Sequence, residues 1–157
     1  MRIGIMLRHY DQHQGGVRVY TRRLLEAMFA LEPAHEFVLL YRTPALVGTY
    51  ARHGVLETAL EARSVLLWDQ LAVPAAVRRH RIDVLFNPKY SIPLRAGCPA
   101  VWVCHGLDWY VMPWASRFMD RMSHRFLVPR YAHRAAAIVA VSEVTREHVM
   151  HYLAVPP

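Results

Sequence analysis

Residues 101–104, Val-Trp-Val-Cys, form an unbroken apolar, β-prone run that stops at His105-Gly106. A strand with one wet face alternates apolar and polar residues. An unbroken run is what a strand covered on both faces requires. Strands of that kind belong to parallel sheets, whose crossover helices lie on both sides. In open α/β sheets the ligand crevice lies at the carboxyl ends of the strands. This run therefore places His105-Gly106-Leu107-Asp108 where such a fold does its chemistry.

The rest of the chain agrees with that class. Residues 2–7 (RIGIML) read as a first strand, followed by a polar loop over 8–14 and Gly15-Gly16. Val17, Tyr20, Leu24, Ala27, Met28 and Leu31 recur at spacings of 3 and 4, the stripe of an amphipathic helix that Pro33 closes. Residues 36–41 (EFVLLY) read as a second strand. Residues 46–62 fit either a short helix or a third strand. A helix follows over 67–80, kinked or broken at Pro74. Residues 83–86 form a short buried strand ending at Asn87-Pro88. Beyond the 101 strand, a helix begins near Ser116 and is interrupted at Pro129. Residues 137–141 are a further buried strand, and Ser142 opens a last helix. Strands alternating with helices predict right-handed βαβ units, a doubly covered Rossmann-like parallel sheet.

The 157 residues suit one domain, with enough chain for a self-sufficient core. No solenoid repeat is present. The apolar run after Arg2 is too short for a signal peptide, and no stretch reaches the ~20 apolar residues of a bilayer span. These features predict a cytoplasmic chain, free or at the inner face of the membrane. Cys98 and Cys104 make no disulfide framework and are expected as reduced, buried thiols. The net charge of +7 attracts anionic partners. Nucleic acid is not expected among them, since the aromatics do not interleave with the basic residues in any recognisable module.

Four strand ends carry polar residues that one rim of the sheet would gather: Arg8-His9, Asn87, His105 and Ser142. His105 there can donate to a substrate hydroxyl or work as acid or base. His9 and His13 are four apart on a loop, which fixes no metal geometry, so no metal is expected. Gly15-Gly16 fits two roles. One is a helix cap with Gly16 at the N-cap position. The other is a loop that lets phosphate approach a helix N-terminus, although G-x-G-x-x-G is absent. Ser142, with Glu143 and Thr145 behind it, fits an N-cap. Arg117, Arg121 and Arg125 form one stripe beside Phe118, Met122 and Phe126. That pattern suits an anionic membrane surface, but a core-facing helix with solvated arginines fits it better.

Four segments, in order, resemble the N-terminal domain of family 4 glycosyltransferases with the GT-B fold. They are Gly15-Gly16-Val17-Arg18-Val19-Tyr20, residues 83–88 (DVLFNP), residues 104–109 (CHGLDW) and residues 135–145 (AAAIVAVSEVT). The resemblance spans nearly the whole chain. It implies a hexosyl-type transferase of polysaccharide assembly that moves sugar, with retention, from a nucleotide-sugar donor to a glycan or lipid-linked acceptor. Donor and acceptor are substrates, and no cofactor is implied.

In that resemblance His105 touches the donor sugar, and Gly15 and Gly16 form the loop beside the phosphates. The strand-end residues His9, Asn87, Asp108 and Ser142, with Arg18 beside the glycine pair, complete the expected substrate-binding set. Val19 stands where the family often has Arg, and Gly106-Leu107 intervene between a His and Asp that many members have adjacent. In the family, sequence like residues 141–157 leads on to a second, donor-binding domain. Residues 1–157 are therefore expected to be one acceptor-side domain, truncated before its C-terminal partner and inactive alone. The rival expectation is a non-catalytic Rossmann-like module that binds a partner or sugar.

Overall fold

The computed structural model describes residues 1–11, 15–31, 34–115 and 117–156. His13, Pro33 and Ser116 lie outside them. Six strands form one sheet: β1 (Arg2–Met6), β2 (Glu36–Tyr41), β3 (Leu56–Ala59), β4 (Val84–Asn87), β5 (Ala100–Cys104) and β6 (Ala137–Ala140). The order is β3-β2-β1-β4-β5-β6, and every pairing is parallel. The helices are α1 (Gly16–Leu31), α2 (Val65–Leu67), α3 (Val73–His80), α4 (Asp108–Val111), α5 (Phe118–Arg134) and α6 (Glu143–Leu153). The expected fold class holds: this is a Rossmann-like α/β sheet covered on both sides.

Parallel pairing puts partnered residues on one face, and the register divides the core in two. Ile5, Leu7, Phe37, Leu39 and Tyr41 pack with Leu25 and Phe29 of α1. Met6, Val38, Leu40, Leu85, Trp102 and Cys104 pack on the other face with residues of α3, α5 and α6. At Gly4, in the middle of β1, an added Cβ would meet Ile82 Cδ1 at 2.6 Å. Only hydrogen fits without moving the side chain that seals the α3–β4 turn.

Several expectations need correction. In α1 the buried positions are Thr21 and Leu25, while Leu31 is exposed. The Thr21 hydroxyl donates to the Val17 carbonyl at 2.7 Å, so the helix satisfies that polar atom itself and can turn it inward. Residues 46–62 hold 3₁₀ turns and then β3. The stretch from Val65 to His80 is one continuous helical run, with a π turn at Trp68–Ala72 just before Pro74. Pro74 has no N–H to offer one turn back, and the wider turn absorbs that loss. Pro129 is carried inside α5 without ending it. Strand β6 is half-exposed rather than buried, because it lies at the sheet edge. Cys98 is only partly buried.

Candidate active site

Strand order reverses between β1 and β4, and open α/β folds form their crevice outside the carboxyl ends at such a point. A cavity of ≈ 510 Å³ opens there. Its lining includes Val17 from the first turn of α1, Lys89 and Tyr90 from the β4 turn, and His105, Gly106 and Asp108 after β5. Arg117, Asp120 and His124 close it from α5. A smaller cavity of ≈ 250 Å³ adjoins, sharing Tyr90 and His124 and adding Arg8, His9, Asp69 and Ser91.

His105 is held from two sides. Its Nε2 donates to the Pro88 carbonyl at 2.8 Å, and Tyr20 of α1 meets its ring edge-on at 4.9 Å. A carbonyl can only accept, so Nε2 carries the proton. In the neutral ring Nδ1 is then the acceptor, suited to a sugar hydroxyl. The turn that supplies Pro88 is itself fixed by Asn87. That buried amide donates to the Ser91 carbonyl and, at 3.1 Å, to Ser91 Oγ, while its Oδ1 accepts from the Lys89 backbone N–H at 3.0 Å. Asn87 therefore shapes the site through the turn, with both amide hydrogens engaged on Ser91.

The β1 end is the most electrostatically loaded part of the rim. Arg8 Nε donates to Asp69 Oδ1 at 3.2 Å and Arg8 Nη2 to Ser91 Oγ at 3.3 Å. The π turn buries Asp69 beneath this guanidinium. Burial pushes the Asp69 carboxyl up, against the pull of Arg8. His9 Nδ1 lies 3.4 Å from Lys89 Nζ. An ammonium can only donate, so Nδ1 accepts and the proton is on Nε2, a buried atom with no partner among the described residues. Burial, and then the positive charges of Arg8 and Lys89, lower the His9 pKa to about 2. Burial pushes the Cys104 thiol up to about 11, which makes it a packing group rather than a nucleophile.

The structure separates the remaining candidates. Gly15 has φ +140°, which favours glycine, and its carbonyl accepts from the Arg18 and Val19 amides. Gly15 is thus the cap and Gly16 the first helical residue, one position earlier than expected for the cap. Open space surrounds both. Arg18 lies over the Tyr10 ring at 5.3 Å and is not part of the cavity lining. Ser142 Oγ accepts from the Thr145 amide at 3.2 Å, capping α6 three strands from β1. Its hydroxyl serves the helix, and it does not line the cavity. Asp108 begins α4 and does line it. Beyond it, Tyr110 of α4 stacks on Tyr152 of α6 at 5.0 Å. No group of three or more metal-ligating side chains occurs among the described residues.

Sequence reading missed Lys89, Tyr90, Tyr20, Asp120 and His124 as site residues. For Lys89 a signal existed: it is the only lysine among 19 basic Lys and Arg residues, and it lies two residues past the β4 end.

The profile of Glycosyltransferase Family 4 matches residues 14–157. The chain belongs to glycosyltransferase family 4. The crystal structure of a glycosyltransferase from Rickettsia africae ESF-5 shares the fold, with TM-score 0.62 and 14% sequence identity. That match covers 99% of this chain and 40% of the Rickettsia chain, so the family 4 domain described here spans well under half of its structural neighbour. No curated protein matches it significantly.

Proposed function

We propose that this family 4 chain is the acceptor-side domain of a retaining glycosyltransferase. It works with a donor-binding Rossmann-like domain, on the same polypeptide or another, to move a hexosyl group from a nucleotide sugar to a glycan or lipid-linked acceptor. One observation carries the reading: His105 and the first turn of α1 open onto one cavity at the strand-order reversal. The acceptor hydroxyl attacks the anomeric carbon on the face the phosphate leaves. The bond from that carbon to the phosphate oxygen breaks, the bond to the acceptor oxygen forms, and the acceptor proton passes to the departing phosphate. Configuration is retained. His105 Nδ1 accepts from a donor-sugar hydroxyl and fixes the ring as positive charge develops on it. Gly15 and Gly16 bring backbone close to the cavity, and the amides of Gly16 and Val17, ahead of those bonded to the Gly15 carbonyl, are the ones offered to phosphate.

The test is a transfer assay of the chain with and without the donor-binding domain, using a panel of nucleotide sugars. Turnover that requires both parts and falls in His105→Ala supports the reading. Full turnover by the chain alone overturns the two-part arrangement, and an unchanged His105→Ala rate removes His105 from the chemistry.

A docking role is favoured by α5. The sequence pattern fitted a core-facing helix, yet only Val128, Tyr131 and Ala132 of α5 are buried. Phe118, Met119 (74% exposed), Met122 and Phe126 face outward beside Trp114 (79%). Arg121 lies over Phe118, Arg125 over Tyr110 and Arg130 over Phe126. An apolar face rimmed by guanidinium groups matches an anionic membrane surface. No helix among the described residues is long and apolar enough to cross one. Sedimentation with phosphatidylglycerol vesicles, lost in the Phe118→Ser/Met119→Ser/Phe126→Ser variant and absent with phosphatidylcholine, is the expected result. Equal sedimentation with both lipids overturns it.

The rival reading, a non-catalytic module that binds a partner, draws on the sheet edge. Val139, Val141 and Val144 are exposed there, and β6 has an unpaired outer edge. Stable, partner-dependent burial of that edge without sugar transfer would favour it.

A further inference from the structure

Lys89 stands out on three independent grounds. It is the chain's only lysine, in a protein that otherwise uses arginine for every basic surface position. It lies two residues past the end of β4, at the strand-order reversal, with its backbone N–H held by Asn87. Its ammonium is half-buried, yet no carboxylate comes within ion-pairing distance among the described residues. Asp69, the buried carboxylate at the β1 end, is occupied by Arg8. The contacts of Nζ are instead the His9 ring nitrogen at 3.4 Å and the Tyr90 ring at 5.3 Å. Burial, and then the positive charge of Arg8, lower its pKa.

A desolvated cation without a counter-ion is costly, and a second cation beside it raises the cost. Such an arrangement is relieved by an anion from outside. The surrounding donors suit a phosphate. Lys89 lines the larger cavity together with Arg117. Its partner His9, whose Nδ1 faces Nζ, lines the smaller one, and its Nε2–H is buried. Arg8 adds positive potential without giving up Asp69. The acidic residues of the larger cavity, Asp108 and Asp120, come from the β5 and α5 side. The crevice thus carries cations at the β4 turn (Lys89) and at the start of α5 (Arg117), with Asp108 and Asp120 as acceptors suited to sugar hydroxyls.

We propose that Lys89, with Arg117 across the same cavity, forms a phosphate subsite, and that the acceptor recognised by this domain carries a phosphate group. The word acceptor rests on the glycosyl-transfer reading; the phosphate subsite does not. The sole lysine makes the subsite directly observable. Reductive ¹³C-methylation of the intact chain labels only Lys89 and the N-terminal amine, and dimethyl-lysine keeps its charge. Glycerol 3-phosphate, inorganic phosphate and UDP are titrated in separate arms, in a phosphate-free buffer. The expected result is a saturable shift of the Lys89 resonance with the phosphomonoester and phosphate arms. By calorimetry on unlabelled protein, Lys89→Gln should weaken phosphomonoester binding at least about tenfold, while the exposed-site control Arg78→Gln should leave it unchanged. A resonance that does not move, or equal binding by Lys89→Gln, overturns the subsite. A shift with UDP alone reassigns it to the donor and overturns the phosphorylated acceptor. None of these results depends on whether sugar transfer is observed, so failure of the subsite and failure of the transferase reading are separately visible.

Discussion

Strands β5 and β6 are neighbours in the sheet. Both are apolar runs, and both have a polar residue within two positions of their ends. Trp102, Val103 and Cys104 on β5 are completely buried, whereas Val139 on β6 is 43% exposed. His105 after β5 lines the cavity, and Ser142 beyond β6 caps a helix. The difference lies in position within the sheet rather than in composition. A strand with neighbours on both sides and helices over both faces ends inside a crevice. An edge strand ends against solvent, where a hydroxyl is most useful to its own backbone. A polar residue after a strand therefore points to a ligand only when the strand is interior and close to the order reversal.

The contrast can be tested in descending order of effect. Trp102→Ala removes a fully buried indole from the centre of the larger core and should cost about 3–5 kcal/mol in denaturant unfolding. A loss near 1 kcal/mol would mean that β5 is far less enclosed than its burial implies. His105→Ala should lower transfer by the two-part enzyme about 10²-fold with little change in stability, whereas a purely structural His105 would lose both together. His9 supplies a pH test. Its ring stays neutral in the fold down to about pH 2 but takes a proton in the unfolded chain below its ordinary 6.5. Stability should therefore fall as pH drops below 6.5, by up to about 1.4 kcal/mol per pH unit from this group. His9→Gln should flatten that slope; an unaltered slope would place the ring in water. Ser142→Ala should cost about 1 kcal/mol through the lost cap and leave the transfer rate per folded molecule intact. Val139→Lys, on the edge strand, should change stability by less than about 0.5 kcal/mol. A larger loss would show that β6 is covered in solution.

Much of this arrangement was readable in the residues. The unbroken run at 101–104 indicated a doubly covered strand, and the alternation of elements indicated the parallel sheet. What escaped depends on hydrogen bonds and neighbours rather than on periodicity. The α1 stripe was misplaced because Thr21 hides its hydroxyl on a carbonyl one turn back. Strand β3 was ambiguous because it is short and carries Glu57, whose Oε2 accepts from the Tyr41 hydroxyl at 2.9 Å. Helix α5 was read as core-facing because a stripe of Phe and Met looks the same whether a core or a surface receives it. Arg8 could not be matched to Asp69 without the π turn that brings residues 61 positions apart together. Lys89 was legible in the composition, but only as a count; that no carboxylate pairs with it among the described residues is a property of the fold.

The loop from β4 to β5 crosses without a helix, and a single carboxamide sets its shape at the rim. Through that one group Asn87 locks the carbonyl that orients the imidazole at 105 and the backbone bearing the ammonium at 89. The spacing between these two contact points is thereby fixed before any ligand arrives. The crevice acts as a gauge, admitting molecules whose two recognised groups already stand the right distance apart. Changing the length of this short turn would recalibrate that gauge without altering a residue that touches the ligand.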